Sequence, residues 1–339
     1  MSKDQYYELD GYINYTLIKR VSISANLAFL EKEEEKPKTK LQRVFDLGHI
    51  IERYVLEDKD ISYIRLDKTP ELTGHSLVLF NSLLTYCQEE NINSVKELKK
   101  EVVESLITEL SLWKNIRSKE LLSERYEDVL TKLNFYLTLN EDDVVANEDV
   151  SSLLVRLDEG IKNFDVIRKI VYPSDPKIEV INQLPIILEE GLPLPAKGLL
   201  DRVHIDHKKK EIVILDVKSM DGRVENFLTS FFTHKYYYQL PFYYRLFRLA
   251  YPEFASYTIS LKFLALSKTS PDVPALYTMH NDWIDRAWNG WTNKLGYTIK
   301  GINQLIDEIK WYKEIGGPAL SYELAMNNSE LIIKADWNE

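Results

Sequence analysis

The pattern of hydrophobic and polar residues predicts a helical region that is followed by a region in which strands and helices alternate. Apolar residues recur every three or four positions over about 41–60, which predicts an amphipathic helix. Residues 61–67 form a candidate strand, and the patterns over 75–140 and 150–171 are mainly helical. The clearest helical period runs over 95–113, so we expect several helices to pack together in this part of the chain.

Beyond residue 176 the pattern changes to that of strands. Three segments there are rich in β-branched residues, are bounded by turn residues and predict strands: 177–190, 196–206 and 211–219. The segments that follow predict a helix, a strand and a long helix, in that order, at 236–251, 256–267 and 281–313. This order predicts an α/β fold with a central mixed sheet flanked by helices, in which 75–172 is a helical insertion or cap.

The chain is long enough for a sizeable core and has the composition of a globular protein. Of its 339 residues, 45% are hydrophobic and 28% are charged. We interpret the whole of 1–339 as a single domain with four parts: a first core helix at 41–60, the helical insertion or cap at 75–172, a sheet and its following helix at 177–270, and a C-terminal helix and tail at 281–339.

Several function classes are excluded by what the sequence lacks. No window of about 20 apolar residues predicts a membrane span, and the N-terminus lacks the apolar core of a signal peptide. Cys87 is the only cysteine, which excludes internal disulfides and cysteine-ligated zinc or iron–sulfur sites. We therefore expect a cytoplasmic protein with no membrane partner and no iron–sulfur cluster.

The net charge of −10 argues against a protein that coats nucleic acid, because affinity for phosphates comes from a high local density of lysine and arginine. It does not exclude an enzyme that acts on nucleic acid. In such an enzyme the phosphates would meet a confined basic patch, or metal ions would neutralise them.

The candidate chemistry lies on two of the predicted strands. Asp201 and Asp216 are separated by 15 residues, which suits two adjacent antiparallel strands joined by a short turn at 207–210. Lys218 shares a face with Asp216, because side chains alternate along a strand. Two carboxylates and a backbone carbonyl suit a hard cation such as Mg²⁺ or Mn²⁺, and a nearby lysine could orient or deprotonate an attacking water. An ordinary hairpin with solvated charges is the alternative.

Three further features favour a functional site over that alternative. Gly198 precedes Asp201 within its strand and permits a close approach of backbone or ligand. Gln239 and Tyr243 stand four residues apart on the next predicted helix, so they share one side of it. Upstream, the helix at 41–60 carries Gly48 and Glu52. The tyrosines at 236–238 either stack on unpaired bases or pack in the core, and packing is the more common role.

In this order, the motifs G-x-x-D, D-x-K and Q-x-x-x-Y resemble those of the PD-(D/E)XK nuclease superfamily. The likeness is to its RecB-like branch and to phage-type exonucleases of the exodeoxyribonuclease VIII (RecE) kind. It covers about 40–60 and 177–250. That branch has an upstream helix with G-x-x-x-H, and "LGHIIERYVLED" matches this frame except that Glu52 stands at the histidine position. The resemblance implies a restriction-endonuclease-like core.

The resemblance also implies roles for the site residues. Asp201, Asp216 and the Val217 carbonyl would hold one or two Mg²⁺ or Mn²⁺ ions, and Glu52 would approach them from its helix. Lys218 would act on the water nucleophile. Two residues would position the scissile strand or support the metal site: Gln239 and Tyr243. Five basic residues near the motifs are candidate DNA contacts: Lys197, Arg202, Arg223, Lys235 and Arg245.

The function that the resemblance implies is a Mg²⁺-dependent exonuclease that hydrolyses phosphodiester bonds from DNA ends. Its setting would be phage-type recombination or DNA processing, in the host cytoplasm if a phage encodes it. The alternatives are a structure-specific endonuclease of the same fold and an inactive protein that binds or assembles on DNA ends. DNA is the expected partner, and a single-strand annealing protein and a homo-oligomer are also open.

Overall fold

The computed structural model describes residues 3–29, 47–56, 64–139, 143–146, 148–271 and 273–317, together with residues 322 and 326. The ends of the helix predicted at 41–60 and most of the tail beyond 317 lie outside these residues. The chain divides into two compact units. One comprises 1–35, 51–59 and 156–339, and the other comprises 36–50 and 60–155.

The described helices and strands are numbered here in chain order. The helices are α1 (Lys3–Glu8), α2 (Tyr15–Ile23), α3 (Ala25–Phe29), α4 (Leu47–Leu56), α5 (Gly74–Glu89), α6 (Lys100–Glu109), α7 (Lys119–Leu137), α8 (Glu148–Asn163), α9 (Asp165–Val171), α10 (Phe227–Thr233), α11 (Gln239–Ala250), α12 (Asp282–Asn289) and α13 (Ile302–Glu314). The strands are β1 (Ile64–Leu66), β2 (Val144–Ala146), β3 (Ile178–Leu188), β4 (Ala196–Asp206), β5 (Glu211–Met220), β6 (Thr258–Ser267), β7 (Ala275–Met279), β8 (Trp291–Thr292) and β9 (Thr298–Ile299). Within these residues every helix is too short or too polar to span a bilayer.

The first unit is organised around a five-stranded mixed sheet. Its strand order is β3-β4-β5-β6-β7, in which β5 and β6 are parallel and the other neighbours are antiparallel. The chain crosses from β5 to β6 through α10 and α11, because parallel neighbours need a crossover connection. The predicted α/β fold with a central mixed sheet flanked by helices is therefore confirmed.

The predicted turn between β4 and β5 is also confirmed. The Asp206 carboxylate accepts hydrogen bonds from the backbone N–H groups of Lys208 and Lys209, at 3.0 and 2.9 Å. Lys210 then takes a left-handed φ of +55° that reverses the chain. This turn fixes the register of the hairpin, and the register places the two predicted acidic residues next to each other.

The core of this unit contains residues of the sheet and of α11. Val203 and Ile214 are register partners on β4 and β5 and are fully buried. They belong to the same buried cluster as Phe242 and Leu246 of α11. This packing fixes α11, which carries the predicted Gln239 motif, against the strands that carry the acidic residues.

The second unit is built mainly of α5, α6 and α7, as the sequence pattern predicts. Their apolar residues form a separate core that includes Leu79, Leu83, Val129 and Leu133, all fully buried. Strands β1 and β2 pair in parallel within this unit. The only cysteine of the chain, Cys87, is buried in the same core.

The structure corrects the helix that the pattern predicts over 281–313. This part of the chain forms two helices, α12 and α13, with the hairpin of β8 and β9 between them. Gly290 ends α12 with a φ of +82°, which favours glycine. A Cβ atom at Gly301 would lie 2.4 Å from the carbonyl oxygen of Trp288, so only glycine fits where the chain returns. The continuous apolar period hid this break.

Smaller differences concern the ends of other helices. The helical period over 95–113 yields only α6, and the one over 150–171 is divided at Phe164 into α8 and α9. The helix predicted over 236–251 begins at Gln239, after a 3₁₀ turn at 236–238. Pro241 is thus in the first turn of α11, where proline is tolerated.

Candidate active site

Asp201 lies where the pairing of β4 with β5 ends. The last paired residues are Arg202 and Leu215, so Asp201 and Asp216 follow as neighbours on the two strands. One oxygen of the Asp201 carboxylate accepts a hydrogen bond from the Val217 N–H at 2.8 Å, in place of a backbone carbonyl. Because the N–H and C=O groups of one residue face the same neighbouring strand, the Val217 carbonyl also faces Asp201.

The pairing of β4 with β3 is interrupted at the same level. The register continues from Asn182 opposite Arg202 to Leu184 opposite Leu200 and omits Gln183, which has a left-handed φ of +50°. Such strained backbone in a residue other than glycine is concentrated at functional sites. The Gln183 amide donates to Glu52 Oε1 of α4 at 3.4 Å. At this interruption, Gln183 therefore connects the part of the sheet that carries Asp201 to Glu52.

Asp216 is the most deeply buried acid of the site, with 1% of its surface exposed. Lys218 Nζ lies 2.6 Å from its Oδ2, and Gln239 Nε2 donates to its Oδ1 at 2.7 Å. Apart from the ion pair with Lys218, no described group is hydrogen-bonded to Asp216 Oδ2, and none is bonded to Gln239 Oε1. Two buried oxygens thus keep acceptor capacity for a further ligand.

The two residues of the Q-x-x-x-Y motif are in contact. Besides Asp216, Gln239 Nε2 donates to the Tyr243 hydroxyl at 3.3 Å. The Tyr243 ring lies so close to β4 that a Cβ atom at Gly198 would be 3.2 Å from its Cδ1 and 2.6 Å from Leu246 Cδ1. Gly198 therefore allows α11 to approach β4 closely, as the sequence suggests, although the approaching group is the helix.

The electrostatics of the site reflect two acids and one partly buried lysine. Burial, and then the nearby Asp216 and Glu52 carboxylates, raise the pKa of Asp201 well above its ordinary value. Burial also raises the pKa of Asp216, although Lys218 opposes this. Burial alone would lower the pKa of Lys218, but Asp216 and Asp201 raise it above its ordinary value. Lys218 is therefore protonated at neutral pH.

This arrangement suits a hard divalent cation in part. The two carboxylates repel each other when both are ionised, and a cation between them would remove that repulsion. Asp201, Asp216 and the carbonyl of Val217 are oxygen donors of the kind that Mg²⁺ prefers, with water completing the shell. In the part of the chain that the structure describes, however, no three histidine, cysteine or acidic side chains are close enough to hold a metal ion. Glu52 as a third acidic ligand stays a prediction.

Arg202 is not placed as a DNA contact, and this prediction is wrong. Only 1% of its surface is exposed. Its guanidinium donates to the carbonyls of Val55 and Leu56 at the end of α4 (3.2 and 2.7 Å), to the Val171 carbonyl at the end of α9 (2.6 Å) and to Asn182 Oδ1 (2.7 Å). The side chain binds two helix C-termini to the sheet, where unpaired carbonyls attract cations.

Lys197 is likewise wrong as a DNA contact, because it is buried and its ammonium donates to the carbonyls of Tyr6 and Leu9 at 3.0 and 2.6 Å. The three other candidates are more accessible. Arg223 is exposed and pairs with Glu225 at 2.9 Å. The role of DNA contact stays a prediction for three residues: Arg223, Lys235 and Arg245.

Comparison with known proteins adds a distant likeness. No family model and no curated protein matches the chain. Among solved structures, the "Putative exonuclease" from Eubacterium rectale is similar with a TM-score of 0.34 and 9% sequence identity, over 90% of this chain and 95% of that chain. A likeness this distant carries no argument about the site, whose interpretation depends on the geometry above.

The N-terminal segment supplies site residues that the sequence reasoning missed. Ile13 pairs with β4 beside Ala196, which brings α2 to the site. Burial, followed by the Asp216 charge, raises the pKa of Tyr15. The Tyr15 hydroxyl also donates to the His234 carbonyl at 2.9 Å. Burial, followed by the Lys218 charge, lowers the pKa of Lys19. The signal for α2 was available, because Asn14 caps a run with apolar residues at helical spacing.

Proposed function

We propose that this protein is a metal-dependent deoxyribonuclease that hydrolyses phosphodiester bonds from DNA ends. One observation carries the proposal: Asp216 is buried beside Asp201, is paired with Lys218 and accepts a hydrogen bond from Gln239. A solvated hairpin would leave these charges in water, and a purely structural ion pair would not need a second, partly buried carboxylate. The second carboxylate supports the proposal of a cation site, because a bound cation would let both acids ionise.

Each residue of the site would have a distinct task in hydrolysis. Asp201, Asp216 and the Val217 carbonyl would hold Mg²⁺ or Mn²⁺, which polarises the phosphate and lowers the pKa of a bound water. Lys218, which stays protonated, would orient the attacking water and offset negative charge on the phosphate. Gln239 would fix the orientation of the Asp216 carboxylate, and Tyr243 in turn would fix Gln239.

The neighbouring positive charges support a phosphate-containing substrate. Lys235 Nζ lies 3.5 Å from the Tyr237 hydroxyl, and Lys218 Nζ lies 4.9 Å from the centre of the Tyr236 ring, so two ammonium groups lie close to residues 236–237. A local group of cations in a chain of net charge −10 is what a confined DNA contact requires. We extend the proposal to phage-type recombination or DNA processing on the resemblance of the motifs alone.

The decisive experiment compares end-labelled linear duplex with closed circular DNA in the presence of Mg²⁺. We expect nucleotides to be released from the linear substrate only, and EDTA to stop the release. Cleavage of the circle would show an endonuclease of the same fold instead. Metal binding without cleavage of any DNA would indicate the inactive DNA-end-binding alternative.

Two variants show whether activity belongs to this site. Asp216→Asn should abolish hydrolysis, because it removes the buried carboxylate of the acidic pair while preserving the shape of the side chain. Asp221→Asn is the matched control, since Asp221 follows the same strand but is exposed and pairs with Lys268. Equal rates of DNA hydrolysis by the two variants would contradict the proposal, provided that both unfold at the same temperature as the wild type.

A further inference from the structure

Helix α10 presents an apolar face to solvent. Leu228 and Phe232 stand four residues apart, so they are adjacent on one side of the helix. Their exposed fractions are 57% and 51%. The opposite side of α10 is fully engaged, because Phe227 and Phe231 are buried in the core. An exposed pair of large apolar residues on an otherwise well-packed helix marks a candidate contact surface.

The ring of Phe232 is held in place by neighbouring rings without being covered by them. It meets Phe231 at 5.2 Å and 88°, Trp283 at 5.9 Å and 60°, and Tyr237 at 6.3 Å and 46°. None of these three rings lies parallel to it. The side chain is therefore ordered by edge and tilted contacts, while half of its surface remains open for a further planar group.

This surface is continuous with the candidate active site. Lys218 Nζ, which is paired with Asp216, lies 4.9 Å from the centre of the Tyr236 ring. The His234 ring lies 5.4 Å from the same Tyr236 ring. Lys235 Nζ is 3.5 Å from the hydroxyl of Tyr237, the tyrosine that packs on Phe232. Two ammonium groups, those of Lys218 and Lys235, thus lie along the segment that joins the acidic pair to α10.

We infer that the Leu228–Phe232 face of α10 stacks on unpaired bases of a DNA single strand whose phosphates contact Lys235. The inference rests on the proposed nuclease function and names its substrate as single-stranded at this point. Single strands are bound where a cation lies beside an exposed aromatic ring, because the ring stacks on a base and the cation contacts the backbone. Bases in a duplex already stack on each other and offer no free face.

The structure also assigns this task to Phe232 and not to the tyrosines at 236–238. Tyr237 and Tyr238 are buried, and the Tyr238 hydroxyl is bound to the Lys300 carbonyl at 2.6 Å. Tyr236 is stacked on Phe227 at 6.0 Å. Of these three tyrosines, Tyr237 is the one whose ring packs against Phe232.

The test measures the affinity for two labelled oligonucleotides by fluorescence anisotropy in EDTA, which prevents cleavage. One is an oligothymidylate, and the other is an abasic strand of equal length and charge. We expect Phe232→Ala to weaken binding of the oligothymidylate about 5-fold or more and to leave the abasic strand unaffected. Phe232→Trp should restore the affinity. Phe164→Ala, at another exposed ring before α9, should change neither.

Three results would overturn the inference. The first is unchanged binding of oligothymidylate by Phe232→Ala. The second is an equal loss on both strands, which would show that the variant disturbs the cation group. The third is a wild type that does not prefer bases over abasic sites. Each of these is compatible with Asp216-dependent hydrolysis, so the proposed function is judged separately by the cleavage assay.

Discussion

Replacing Gly198 with alanine measures how tightly α11 packs on β4 under the candidate site. A methyl group there would lie 2.6 Å from Leu246 Cδ1 and 3.2 Å from Tyr243 Cδ1. Leu246 is fully buried, so its side chain can move only by disturbing other core residues. Overpacking of this kind costs about 1–3 kcal/mol, and alanine recovers about 0.5–1 kcal/mol relative to glycine within a strand. We expect Gly198→Ala to lower the free energy of unfolding by about 1–2 kcal/mol.

A double-mutant cycle with Leu246→Ala isolates this contact. Leu246→Ala alone should cost about 2–5 kcal/mol, because it leaves a cavity in the core. In the double variant, the methyl group at position 198 would enter that cavity without a clash. We therefore expect the double variant to be more stable than the two single effects predict, by about 1 kcal/mol or more.

The assay is urea unfolding followed by circular dichroism, with the denaturant slope compared among the four proteins. Equal slopes allow the differences in the midpoint to be converted into free energies. Effects that add to within about 0.5 kcal/mol would refute the reasoning, because residues in contact should be coupled. A neutral Gly198→Ala would refute it as well.

Three further predictions concern buried groups around the site. Arg202→Met should lower the free energy of unfolding by about 3 kcal/mol or more, because it leaves buried helix carbonyls without donors. Urea unfolding measures this change, and an unchanged free energy would contradict the importance of these buried hydrogen bonds. Because of His204, the free energy of unfolding should fall by about 2–3 kcal/mol between pH 7 and 4.5. Burial and then Arg202 lower the pKa of its imidazole to about 4 in the folded protein, whereas the unfolded chain takes up that proton at a higher pH. His204→Leu should reduce this fall, and identical pH profiles of the two proteins would count against it. Asp201→Asn should raise the unfolding temperature of the metal-free protein at pH 7. A carboxyl group whose pKa is raised by folding destabilises the folded protein when it ionises, and asparagine removes that charge. A lower unfolding temperature of the variant in EDTA would disprove the repulsion between Asp201 and its acidic neighbours.

The part of the site that could be predicted from the sequence depends on local patterns. A turn at 207–210 between two β-branched runs determines the register of the hairpin, and the register places Asp201 beside Asp216. The spacing of Gln239 and Tyr243 likewise follows from the helix itself. These residues meet because each is held by an element whose geometry a short window encodes.

The remaining features depend on contacts between segments far apart in the chain. Nothing near Arg202 in the sequence shows that two helices end over it, so an alternating strand pattern could not distinguish it from a solvated arginine. Tyr15 of α2 reaches the His234 carbonyl only because Ile13 pairs with the edge of β4. The left-handed Gln183 also depends on tertiary structure, because glutamine carries no preference for that conformation.

The carbonyls bound by Arg202 have a consequence for the motions of the protein. Val55 and Leu56 on α4 and Val171 on α9 share one guanidinium, so a local opening of either helix would leave a buried cation without part of its acceptors. Detachment of α4 alone is therefore costly, and its last turn should open together with the sheet. In hydrogen exchange, the amides around Glu52 would then be protected as a single cooperative unit with β4, instead of fraying from the helix end.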